Sequence, residues 1–91
     1  MIELKRCREK IDTIDLEILR LFEERMHVVK EVACIKKANG IGICDSSREA
    51  ELISAIKAMS EDGLSEYDMA LFMKIMELSK LYQSRCLEEK L

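Results

Sequence analysis

Steps of three and four from Leu4 pass through Cys7, Ile11, Ile14, Ile18, Leu21, Arg25, Val28, Val32 and Ile35, and Arg25 is the single polar member of this row. Burying a guanidinium without a counter-charge costs several kcal/mol. Arg25 therefore meets a fixed carboxylate, snorkels to solvent, or waits for an anionic ligand. Lys36 comes eleven residues later, which on a helix is a rotation of about 20° and a rise of ~16 Å. Both cations thus look out of nearly the same face. Lys36 is either an ordinary solvated lysine or the second jaw of a grip on a small anion.

Further candidates lie on either side. Arg8 precedes Arg25 by about 25 Å of helix and sits on another face, so one small molecule cannot touch both from a single straight helix. It is either a surface arginine or a residue that serves the site of a second chain. Asp45-Ser46-Ser47-Arg48-Glu49 contains Ser46-x-x-Glu49, which has the form of a capping box. The alternative turns Glu49 inward to accept from a ligand hydroxyl, with Arg48 beside it. Towards the C-terminus Phe72, Met76, Ser79, Gln83 and Cys86 form another row, interrupted by Ser79 and Gln83 four residues apart. Those two are either interhelical polar contacts or groups aimed at a ligand.

The rest of the sequence narrows the chemistry. Cys7, Cys34, Cys44 and Cys86 are irregularly spaced, with no C-x-x-C pair and His27 the lone histidine, which predicts no metal site and reduced thiols. A net charge of −3 and an aromatic content of 4% give no footprint for nucleic acid or anionic lipid. The first residues, Met1-Ile2-Glu3-Leu4-Lys5-Arg6, lack the apolar core of a signal peptide, and no run is long enough to cross a bilayer. A cytoplasmic protein is expected, in which any anion site is a local cluster of cations.

The elements that must carry these residues are helices. There is no proline, and Gly40, Gly42 and Gly63 punctuate the chain. The pattern predicts one helix from about Glu3 to about Ala38, a second from about Ser46 to about Ser60 and a third from about Glu66 to about Glu88. Asp45 or Ser46 is expected to cap the second and Ser65 the third. The fold class is all-α, one very long helix and two shorter ones, with residues 1–91 as a single domain. At ~1.5 Å per residue the first helix spans roughly 50 Å, whereas a compact domain of this length is about 30 Å across. Two short helices cannot cover such a rod. A second copy laid along it can, so an intertwined homodimer is expected.

Taken together these positions resemble the all-helical chorismate mutases. The resemblance rests on Leu4-x-x-x-Arg8-x-x-Ile11-Asp12-x-Ile14-Asp15, then Glu24-Arg25, Val32-x-x-x-Lys36, Asp45-x-x-Arg48-Glu49 and Ser79-x-x-x-Gln83, in order and across nearly the whole chain. The loop from Asn39 to Cys44 departs from the pattern, with two glycines and no proline. The resemblance implies conversion of chorismate to prephenate, an intramolecular Claisen rearrangement in phenylalanine and tyrosine biosynthesis that uses neither nucleophile nor cofactor. It implies that Arg25, with Arg8 from the partner chain, holds the two carboxylates. Lys36 and Gln83 then donate to the ether oxygen, and Glu49 accepts from the ring hydroxyl. Arg48, Ser79 and the backbone near Asp45 complete the pocket.

Two rivals accompany this expectation. Isochorismate pyruvate lyase shares the fold and acts on a similar dianion, but the lyases compared lack the glutamate and serine found here as Glu49 and Ser79. A non-catalytic dimerisation or regulatory domain of a bifunctional aromatic-biosynthesis enzyme has no reason to keep Arg25, Lys36 and Gln83 in or beside apolar rows.

Overall fold

A helix that begins almost at the N-terminus runs without a break through Ala38, because its interior holds neither glycine nor proline. The computed structural model describes residues 1–89; positions 90 and 91 of the expected 1–91 domain lie outside the described residues. The elements are α1 (Ile2–Ala38), α2 (Ser46–Met59) and α3 (Ser65–Glu89), with no strand among the described residues. Each expected helix is present, with ends within a residue or so of those expected.

The turns follow from local chemistry. Gly40 adopts φ +65°, the Ile41 N–H donates to the Lys36 carbonyl at 2.8 Å and the Gly40 N–H to the Lys37 carbonyl at 3.3 Å. This is a Schellman ending, which places a left-handed residue where glycine has no Cβ to clash. Asp45 caps α2, its Oδ1 accepting from the Arg48 N–H at 3.0 Å. The Ser46-x-x-Glu49 capping box is not formed. With Asp45 as the cap, Glu49 is the fourth helical residue, one beyond the position that reaches back to the cap N–H. Ser65 does not precede α3 as a cap either. It is the first helical residue, and the Leu64 carbonyl accepts from the Asp68 N–H at 2.9 Å.

Packing centres on α3, which lies against both α1 and α2, while α1 and α2 do not pack directly on each other. The row predicted on α3 is the covered one: Ser79, Gln83 and Cys86 are buried, and Phe72 and Met76 are half-buried. On α1 the covered stripe runs through Phe22, Met26, Val29 and Ala33, with Arg25 and Lys36 also half-buried. The seam read from Leu4 to Ile35 lies beside that stripe and stays open within the chain. Ile11, Ile14, Ile18, Leu21, Val28 and Ile35 are each more than half exposed. The buried apolar residues are only Val29, Ala33 and Cys86 among the described residues, and the chain measures 56 × 29 × 14 Å. The long axis is therefore set by α1, whose N-terminal half extends past its own chain's other helices.

Candidate active site

Where the C-terminal half of α1 meets α3 and the start of α2, a pocket of about 280 Å³ opens. Its walls are apolar, from Val28, Val29 and Val32 on α1, Leu52 on α2, Met76 on α3 and Ile43 in the loop. Into it look four cations, Arg25, Lys36, Arg48 and Lys80, against two carboxylates, Asp45 and Glu49. In a chain of net charge −3 this is a local excess of positive charge on a largely apolar floor, the makings of an anion site.

Arg25 is half-buried, and its Nη1 donates to the Ser79 hydroxyl. The Ser79 hydroxyl in turn donates to the Ile75 carbonyl at 2.8 Å, which fixes the serine as an acceptor for the guanidinium. No carboxylate is paired with Arg25 among the described residues, so the internal ion pair allowed by the sequence is not formed. Burial, and then the nearby charge of Arg48, push the Arg25 guanidinium below its ordinary pKa. Both causes mark a place where an added negative charge is favourable.

Eleven residues further along α1, the Lys36 ammonium donates to the Ile43 carbonyl at 2.8 Å and to Gln83 Oε1 at 3.2 Å. Lys36 is thus no solvated lysine. Arg25 and Lys36 are about 16 Å apart in helix rise, while their partners Ser79 and Gln83 are only about 6 Å apart along α3. The two long side chains must converge to make these bonds, as a grip on one small anion requires. With its carbonyl oxygen taken by Lys36, Gln83 keeps its amide N–H groups to donate into the pocket.

The start of α2 supplies the opposite wall. Its cap at Asp45 orients the first turn, from which Arg48 and Glu49 reach the pocket. Arg48 also lies 3.6 Å from Glu51, an exposed pair of little energetic weight. Glu49 is half-buried, and its Oε1 accepts from the Lys80 ammonium at 2.8 Å. Of the residues expected at the site, Arg25, Lys36, Asp45, Arg48, Glu49, Ser79 and Gln83 all line this one pocket. Arg8 does not. It is exposed on the projecting half of α1, beyond the reach of its own chain's pocket. Lys80 was not expected there. It follows Ser79 by one residue, off the row that carries Ser79 and Gln83, and its partner is visible only once α2 is packed on α3.

The chain matches the family described as chorismate mutase type II over residues 7–84, a stretch that contains every residue of the pocket. The chain belongs to that family. A chorismate mutase of Methanocaldococcus jannaschii is 37% identical over 98% of this chain and 93% of its own length. The bifunctional chorismate mutase/prephenate dehydratase of Aquifex aeolicus is 39% identical over 68% of this chain, and the T-protein of Haemophilus influenzae 33% over 67%. The matched parts make up 17% and 16% of those two longer relatives. Membership of the chorismate mutase type II family accords with three helices and no strand among the described residues. No helix among them is long and apolar enough to cross a membrane.

Proposed function

We propose that this chain is a chorismate mutase, an isomerase that rearranges chorismate to prephenate. The observation that carries the reading is the pairing of Arg25 with a hydroxyl and of Lys36 with a neutral amide and a backbone carbonyl inside one pocket. Two cations held without carboxylate partners among the described residues leave their charge for a ligand. A structural ion-pair network would cancel it.

The reaction breaks an ether C–O bond as a C–C bond forms within one molecule, so the protein needs no nucleophile. It has to hold a flexible dianion folded and stabilise negative charge growing on the ether oxygen. Arg25 binds one carboxylate. Lys36 and the Gln83 amide donate to the ether oxygen, and their hydrogen bonds strengthen as charge accumulates there. Glu49 accepts from the ring hydroxyl, while Arg48, Ser79 and the start of α2 at Asp45 complete the enclosure. A millionfold acceleration requires about 8 kcal/mol. Two or three charged hydrogen bonds that tighten in the transition state, at ~1.5 to 3 kcal/mol each, together with restriction of the substrate, reach that range.

In this reading the working unit is a cytoplasmic homodimer, and Arg8 of one chain enters the pocket of the other to bind the second carboxylate. The open seam on α1 and the small number of buried apolar residues support a partner chain. The exposed position of Arg8, about 25 Å along α1 from Arg25, supports its service in trans. Glu49 and Ser79 in the pocket wall support the mutase over the lyase.

The test is loss of chorismate absorbance on adding purified protein, with prephenate identified as product and isochorismate assayed in parallel. Turnover of isochorismate to pyruvate alone, or tight binding of chorismate without turnover, overturns the proposal.

A further inference from the structure

Glu49 has one side-chain partner among the described residues. The Lys80 ammonium approaches its Oε1 at 2.8 Å, across the junction between α2 and α3. Glu49 and Lys80 both line the pocket, and their side chains are 33% and 39% exposed. This pair is not a helix-surface pair of neighbours in sequence, unlike the other ion pairs among the described residues, which all join residues three or four apart. It joins two elements at the one place where a carboxylate has to be aimed.

A glutamate has three side-chain torsions, and one at the rim of an open pocket has every reason to turn to water. Lys80 removes that freedom by occupying one carboxylate oxygen. A carboxylate has about four lone-pair sites, so one ammonium leaves acceptor capacity for a donor inside the pocket. We propose that Lys80 is a positioning residue that holds Glu49 to receive the substrate's hydroxyl, and so makes the pocket select a hydroxylated dianion. The proposal rests on the functional reading given above. The Lys80 ammonium is pushed above its ordinary pKa, first by the hydrogen bond to Glu49 and then by that carboxylate's charge, so it stays charged throughout the neutral range.

Lys80 acts through Glu49, and a hydroxyl contact exists in the bound substrate as well as in the transition state. Its loss therefore falls on KM. Lys80→Met, which keeps the length and removes the charge, is expected to raise KM about tenfold, with kcat within about threefold of wild type. Lys80→Arg restores the ion pair and is expected to return KM to within about twofold. In a Glu49→Ala background Lys80→Met is expected to add less than about twofold, because the group it positions is gone.

Three results overturn the role. An equal rise in KM in both backgrounds means that Lys80 attracts the dianion directly. An unchanged KM with a lowered melting temperature means that it only joins two helices. Failure of Lys80→Arg to rescue means that the charge is not the operative property. A wild-type chain that does not turn over chorismate overturns the parent reading and this one together. Normal wild-type turnover with an unchanged KM in Lys80→Met overturns this one alone.

Discussion

If Arg8 serves the neighbouring chain's pocket, two dead proteins will make a live one. Each arginine offers a planar fork that gives a carboxylate two charged hydrogen bonds, together ~3 to 6 kcal/mol. Arg8→Ala and Arg25→Ala should each therefore lose about 10² to 10⁴-fold in kcat/KM. An equal mixture, unfolded and refolded, gives dimers of which about half are mixed. In a mixed dimer one pocket combines the intact Arg25 of one chain with the intact Arg8 of the other, and the second pocket lacks both. One working pocket in half of the dimers is roughly a quarter of wild-type activity. The background from either variant alone is about 1% or less, so the recovery is easily read in the chorismate absorbance assay. Two different affinity tags on the two variants show that mixed dimers have formed. Recovery near zero in mixed dimers would refute the shared site, because with both arginines acting inside one chain every pocket lacks one of them.

Gln83→Glu should be active only towards acidic pH, with kcat/KM falling as pH rises while the wild type stays level. The amide donates at any pH, whereas the carboxyl donates only when protonated; an unchanged pH profile removes Gln83 from the mechanism. Arg25→Ala should lose turnover yet leave the melting temperature unchanged or raised. The fold disfavours the charged form of Arg25, as its lowered pKa shows, and removing it relieves that cost when no ligand is present. A fall of more than about 5 °C, near 1 kcal/mol for a chain of this length, would mean that Arg25 is structural.

Much of this arrangement was legible from residue order alone. Gly40, Gly63 and the absence of proline mark the helix ends, and the α3 row through Ser79 and Gln83 is the buried one. What periodicity cannot tell is which stripe of a helix meets its own chain. Helix α1 is apolar on neighbouring stripes, one through Phe22, Met26, Val29 and Ala33 and one through Leu4 to Ile35, and α3 covers the first. The second is left open. Arg25 falls at the boundary between them, which is why it read as part of the seam and yet reaches Ser79. The cap of α2 was open to two choices, and only the bond from the Arg48 N–H to Asp45 separates them. Lys80 carried no signal, since a lysine on a helix is ordinarily solvated, and its partner Glu49 lies on another helix.

The connection between α1 and α2 obeys a rule opposite to that of most loops. Surface loops tolerate insertions and deletions because little depends on their length. Residues 39–45 instead turn at the left-handed Gly40, carry the Ile43 carbonyl to the Lys36 ammonium, and end on the Asp45 cap. One residue more or fewer shifts that carbonyl off the ammonium and changes where the first turn of α2, with Arg48 and Glu49, meets the pocket. Natural variation in this exposed segment should therefore be confined to exchanges that keep its length, a pattern otherwise expected of a buried core.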